Sequence, residues 1–130
     1  MNDYLEENLT SRLFAVQKVY GYQLSLDEND IKALMFESVP GCGNPKNLMV
    51  NRIYKAVKEN YDYLKGQLAE YDIKDTLVSS IIYCAVAELI YLKKDIGIII
   101  SQYQKIASFY YDDGKVKLIT SVINKIWEQQ

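Results

Sequence analysis

Residues 11–20, SRLFAVQKVY, decide the fold predicted for this chain of 130 residues. Apolar side chains stand at Leu9, Leu13, Val16 and Tyr20, which is the three- and four-residue spacing of one face of a helix. Similar spacing returns along most of the chain, whereas the sustained alternation of apolar and polar residues that marks a half-buried strand does not occur. The sequence therefore predicts an all-α protein.

The helical segments and the breaks between them predict a compact bundle. We expect helices at about residues 4–24, 27–38, 45–70, 75–92, 96–110 and 114–128. Ser25-Leu26-Asp27-Glu28 has the form of a capping box, and Asn44-Pro45 offers a cap and a first-turn proline. Short connections favour antiparallel packing of consecutive helices. We interpret residues 1–130 as one domain of six to seven helices, with three-helix sub-bundles at about 1–70 and 73–130 and a central helix that carries Ile81, Ala85 and Leu89.

Composition argues against several classes of function. The chain has no histidine, which removes the commonest general base and the commonest metal ligand. We therefore expect no enzyme, no catalytic residue, no metal and no cofactor. Apolar runs such as residues 96–100 are far shorter than the roughly 20 residues that span a bilayer. The acidic N-terminus does not resemble a secretion signal, and Cys42 and Cys84 are expected to be free thiols in the cytoplasm.

Charge is unevenly distributed, although the net charge is only −2. Residues 44–58 hold four basic side chains and no acid, while the first eleven residues hold three acids and no base. On the predicted third helix, Arg52, Lys55, Lys58 and Lys65 lie at helical spacing and form either a basic stripe or, with interspersed acids, an ordinary solvated face. The glycine-rich loop at residues 41–43 is either an anion cradle or a plain turn.

Several motifs, taken in order, resemble the NusB family of bacterial transcription antitermination factors. The first helix is similar to the family pattern at Arg12, Ala15, Gln17 and Tyr20. The other matches, each weak by itself, are Tyr63-Leu64-Lys65-Gly66, then Ala85 with Glu88 and Leu89, then Asp95-Ile96, Ala107-Ser108-Phe109, Asp112-Asp113 and Val122-Ile123-Asn124-Lys125. Together, these matches follow the order and spacing of the family pattern and extend over nearly the whole chain.

The resemblance implies an all-α adapter without catalytic activity. Such a protein binds boxA-type RNA together with the ribosomal protein NusE, within an antitermination complex on RNA polymerase. By resemblance, the RNA contacts are expected at Arg12, Gln17, Lys18, Tyr20, Phe109, Tyr110 and Lys117. The acidic turn Asp112-Asp113 is expected on the NusE-binding surface. Cations beside aromatic rings are typical of single-stranded RNA recognition.

Departures from the family pattern concern the RNA contacts most. The arginine-rich start of the family is replaced by residues 3–11, DYLEENLTS, and the arginine of a later helix is replaced by Tyr83. The few remaining cations would support only weak RNA binding without a partner. The alternative is a protein-interaction module of the NusB fold with weak or lost RNA binding, for which a homodimer through the first helix is one arrangement.

Overall fold

The computed structural model describes residues 6–27, 29–30 and 44–130. Over these ranges the chain forms six α-helices and no strand, so the all-α prediction is confirmed. The helices are α1 (Glu7–Gln23), α2 (Asn47–Glu59), α3 (Tyr61–Leu68), α4 (Thr76–Ile90), α5 (Ile96–Ser108) and α6 (Asp113–Glu128), and the 3-10 turn Ala69–Tyr71 follows α3. Most of the helix predicted at 27–38, the 41–43 loop and Cys42 lie outside the described residues.

Acidic side chains begin four of these helices. The side chains of Glu6, Asp75, Asp95 and Asp112 accept backbone N–H groups at the starts of α1, α4, α5 and α6. Each cap satisfies an amide that has no partner within the helix, and its negative charge suits the positive end of the helix dipole. The apolar spacing and these caps together explain why the predicted bounds of α4, α5 and α6 are nearly those observed.

Two predicted start signals are wrong in detail. Ser25 has a φ of 58°, which is not the extended conformation of an N-cap residue, and the Asp27 side chain accepts the Asp30 N–H. Glu28 of the predicted capping box lies outside the described residues. Helix α2 begins at Asn47, two residues after the expected position, and the backbone N–H of Lys46 donates to Ser11 Oγ at 2.8 Å. A contact with another helix thus takes the place of the local cap expected at Asn44-Pro45.

The long helix predicted at 45–70 is interrupted at Asn60. This residue leaves helical geometry, with φ −119° and ψ 22°, and its side-chain amide donates to the Ala56 carbonyl at 2.8 Å. Asparagine often competes in this way for backbone groups that a continuing helix would use. The chain restarts as α3 with Leu64 and Leu68 buried, so the apolar spacing continues across a break that the spacing alone does not reveal.

Two helices form the centre of the bundle. Every residue of α4 from Val78 to Leu89 is buried, which confirms the prediction of a central helix at Ala85. Helix α1 is also central, since all residues from Leu9 to Gln17 are buried, including polar ones. One hydrophobic cluster extends from Leu9 to Ile126 and contains side chains from all six helices.

Helices α1 and α2 run in the same direction. Ser11 meets the start of α2, Lys18 donates to Asn51 at 3.2 Å, and Tyr22 contacts Tyr54 further along. The two helices therefore pack side by side over most of their length. Within the described ranges, no helix is both long enough and apolar enough to cross a membrane.

Candidate nucleic-acid interface

Arg12, the first residue expected to contact RNA, lies inside the bundle. Only 4% of it is exposed. Its Nε and Nη2 donate to the two oxygens of Glu88 at 2.8 and 3.1 Å, and its Nη1 donates to Gln102 at 2.9 Å. The Tyr103 hydroxyl donates to the same carboxylate at 2.6 Å. These four residues form a buried polar cluster in which three of the five arginine donors are already used.

Electrostatics explain why this buried polar cluster keeps its charges. Burial by itself lowers the pKa of Arg12, but the hydrogen bond and negative charge of Glu88 outweigh it, so the pKa is raised. Burial and the neighbouring Glu88 raise the pKa of Tyr103 well above its ordinary range. The guanidinium is therefore charged, the phenol is neutral, and each is held by the same carboxylate. This arrangement joins α1, α4 and α5 and leaves Arg12 unsuited to a phosphate contact.

Gln17, Tyr20, Phe109 and Tyr110 lie near one another around the turn after α5. Gln17 is buried, and its side-chain amide donates to the Tyr110 hydroxyl. Tyr20 is half-buried and close enough to Tyr111 to raise the pKa of that residue, a shift caused mainly by burial and a hydrogen bond to Asp75. Phe109 is 39% exposed. The structure thus brings four expected residues together, but the Gln17 side chain packs inside.

The remaining expected residues are dispersed. Lys18 is half-buried on the α2 side of α1, and Lys117 is exposed on α6. Arg12 and Lys117 share no surface, because Arg12 is enclosed by α4 and α5 side chains. In the acidic turn, Asp112 accepts the Lys115 N–H at 3.0 Å and so caps α6, and Asp113 is exposed in the first turn.

A different surface combines cations with aromatic rings. Lys18 Nζ lies 4.7 Å from the Tyr54 ring centroid, Lys58 Nζ lies 5.4 Å from Tyr54 and 6.0 Å from Tyr22, and Lys65 Nζ lies 5.5 Å from Tyr61. We name this the tyrosine–lysine surface, formed by Lys18, Tyr22, Tyr54, Lys58, Tyr61 and Lys65. All three tyrosines are half-buried, and Lys58 and Lys65 are exposed.

The tyrosines of this surface are held by one another and by the core. Tyr22 meets Tyr54 and Tyr61 edge-to-face, at centroid separations of 6.1 and 5.4 Å. Tyr61 in turn meets the buried Tyr83 at 5.7 Å, and its hydroxyl donates to Gln23 at 3.1 Å. Edge-to-face pairs at such distances are favourable. The rings are therefore fixed in place before any ligand arrives.

Sequence reasoning missed the tyrosines of this surface, although a signal exists. Tyr54, Lys58, Tyr61 and Lys65 follow one another at steps of four, three and four residues, which places rings and cations alternately on one helical face. The basic stripe considered from sequence shares Lys58 and Lys65 with this surface and contains none of its tyrosines. Of the other stripe members, Lys55 pairs with Glu59 at 3.8 Å, as expected for a solvated face, and Arg52 lines a groove described below.

Neither comparison with known proteins nor the arrangement of possible metal ligands points to a further function. No protein-family model and no curated protein matches this chain. Within the described part of the chain, no group of three or more acidic or cysteine side chains is arranged to hold a metal ion.

Proposed function

We propose that this protein is a NusB-like adapter of transcription antitermination that binds boxA-type single-stranded RNA together with the ribosomal protein NusE. The proposed fold is the NusB arrangement of two three-helix sub-bundles. In support of it, two of the motifs behind the resemblance meet: Arg12 of the first motif pairs with Glu88 of the later one. This pairing supports the likeness of the fold, and it gives Arg12 a structural role.

The observation that carries RNA binding is the tyrosine–lysine surface. Half-buried aromatic rings beside cations are the usual means of binding unpaired bases, and base stacking is worth about 1–3 kcal/mol per base. Each ammonium group has three N–H donors, and neither Lys58 nor Lys65 forms an ion pair with a residue that the structure describes. The lysines can therefore contact phosphates while the rings contact bases.

The proposed RNA contacts therefore lie on a different part of the bundle from those expected by resemblance. Lys18 remains among them, while Lys58 and Lys65 replace Arg12 and Lys117 as the cations. The surface lies on α1, α2 and α3, so the later helices and the Asp112-Asp113 turn are left for NusE. A surface with only three cations needs such a partner for useful affinity, because each phosphate contact adds little by itself at physiological salt.

The test is a fluorescence-anisotropy titration of labelled boxA RNA, with and without NusE, at two salt concentrations. Lys58→Gln/Lys65→Gln should weaken binding and reduce the salt slope by about 1.4, because each lost phosphate contact removes about 0.7 from the slope for single strands. In the titration without NusE, Lys105→Gln/Lys125→Gln is the matched control, since both lysines are exposed on α5 and α6 and neither lies over a tyrosine of this surface. It should leave the slope unchanged.

Two results would contradict the proposal. Binding of boxA RNA no tighter than binding of an unrelated strand, even with NusE present, would favour the alternative of a protein-interaction module. Equal losses in the two double variants would show that only overall charge matters. A homodimer through the first helix has little support in either case, because residues Leu9–Gln17 are already buried in their own chain.

A further inference from the structure

A basic groove lies between the start of α1, the first turns of α2 and the segment after α4. Its volume is about 460 Å³, within the range of sites that hold small molecules. Lys46, Arg52 and Lys94 stand at its rim, and the Arg12–Glu88 pair lines its inner wall. None of these three rim cations belongs to the tyrosine–lysine surface.

Among the described residues that line this basic groove, positive charges outnumber negative ones. Arg12 and Glu88 neutralise each other at 2.8 Å, which leaves the three rim cations. All three are exposed, and none forms an ion pair with a residue in the described ranges. Lys46 Nζ donates once, to Asn8 Oδ1 at 2.9 Å. The site therefore holds many N–H donors, five from arginine and three from each lysine, against few acceptors.

Apolar side chains form the rest of the basic groove. Leu48 is 65% exposed, an unusually high fraction for a leucine on a helix that also packs in the core. Met49 and Leu92 are half-buried beside it, and Ile53 closes the floor. A ligand that matches this lining carries a strong negative charge at one end and a flat or apolar body at the other.

Helix α2 adds to the positive potential here. Its N-cap residue, Lys46, forms no side-chain cap, and its first turn has no acidic residue. The amide dipoles of that turn therefore add to the cationic side chains, rather than being offset by a carboxylate as in α1, α4, α5 and α6.

We propose that the basic groove binds a nucleotide-sized ligand through its phosphate. Arg52 and Lys94, with Lys46, contact the phosphate oxygens, and Leu48 and Leu92 contact the base or sugar. The terminal phosphate of a free nucleotide offers three strong acceptor oxygens and a charge near −2, and a phosphodiester within a strand offers two such oxygens and one negative charge, both of which suit this donor-rich rim. The ligand is either a free nucleotide or a nucleotide of an RNA strand. The assignment does not depend on the tyrosine–lysine surface.

Calorimetric titration at low salt tests this proposal with ADP, adenosine and inorganic phosphate as probes. ADP should bind, and adenosine should not bind measurably. Arg52→Gln/Lys94→Gln should weaken ADP binding at least tenfold, whereas Lys105→Gln/Lys125→Gln should leave it unchanged. Leu48→Ala should weaken ADP binding but not phosphate binding, because it removes only the apolar contact. All five of these side chains are exposed, so the fold is preserved.

Absence of ADP binding, or equal weakening by the two double variants, would overturn the proposal. A competing single-stranded RNA octamer identifies the source of the phosphate. Displacement of ADP by the octamer indicates an RNA strand, and retention of ADP indicates a free nucleotide. Lys58→Gln/Lys65→Gln should leave ADP affinity unchanged, so failure of this site and failure of the proposed RNA function give different results.

Discussion

The buried polar cluster and the tyrosine–lysine surface use similar chemistry for different ends. In the first, Arg12 and Tyr103 both donate to the Glu88 carboxylate inside the bundle. In the second, Lys18 and Lys58 lie over tyrosine rings at the edge of solvent. A cation beside an aromatic residue therefore does not by itself indicate a binding site. What distinguishes the buried polar cluster from the tyrosine–lysine surface is a buried carboxylate that binds both the cation and the aromatic residue.

Replacement of Arg12 is expected to have the largest effect on stability. Arg12→Met leaves Glu88 charged and buried without its cation, and breaking a buried pair in this way typically costs about 3–5 kcal/mol. Urea unfolding followed by circular dichroism measures the loss. Arg12→Met/Glu88→Met should recover more than half of it, because the uncompensated charge is gone. A decrease of less than about 1 kcal/mol in the free energy of unfolding of Arg12→Met would show that the Arg12–Glu88 pair does not stabilise the core.

Tyr103→Phe should have the next largest effect. It removes the hydroxyl that donates to Glu88 at 2.6 Å and leaves the ring in place. A hydrogen bond to a charged group contributes about 1.5–3 kcal/mol, and the same urea experiment measures it. Tyr63→Phe is a suitable control, because its hydroxyl bonds to Gln130 at an exposed site and its removal should cost much less.

Much of the fold was predictable because its causes are local. Apolar spacing and acidic caps define α4, α5 and α6, and the apolar spacing of Ile81, Ala85 and Leu89 identifies a central helix. The break at Asn60 was missed because it depends on one side chain that competes for a backbone carbonyl. The central position of α1 was missed because Arg12 and Gln17 suggest a wet face, and only their partners in distant parts of the chain make their burial possible.

The candidate sites were less predictable because they depend on contacts between helices. Lys18 was expected to act with Arg12, six residues earlier, but the two side chains face different neighbours. Tyr22 joins Tyr54 only because α1 and α2 run in the same direction, which no local signal indicates. Lys94 joins Arg52 only through the turn after α4.

Unfolding at alkaline pH is a third test of the buried polar cluster. Burial raises the pKa of Tyr103 above its ordinary value of 10.0 and that of Cys84 above 9.0, with Glu88 as a further cause in both. Above those values the unfolded chain loses protons that the folded chain keeps, so stability is full below about pH 9 and falls as pH rises. Each group contributes about 1.4 kcal/mol per pH unit.

Urea unfolding between pH 8 and pH 11 measures this slope. Tyr103→Phe should make the decline above pH 10 shallower by about 1.4 kcal/mol per pH unit, because one of the groups that drives it is absent. The same slope in the variant and the unaltered protein would mean that Tyr103 ionises alike in both states, and its position in a buried polar cluster would then be in doubt.

The smallest expected effects on stability are on the exposed face of α2, where two lysines differ in their neighbours. Lys58→Gln removes cation–π contacts with Tyr54 and Tyr22, which at exposed sites are worth about 0.5–1 kcal/mol. Lys55→Gln removes a solvated pair with Glu59 at 3.8 Å and should cost less than about 0.5 kcal/mol. Urea unfolding of both variants gives the difference. If Lys58→Gln cost as much as Arg12→Met, the tyrosine–lysine surface would be a second structural cluster, and its lysines would be unavailable to RNA.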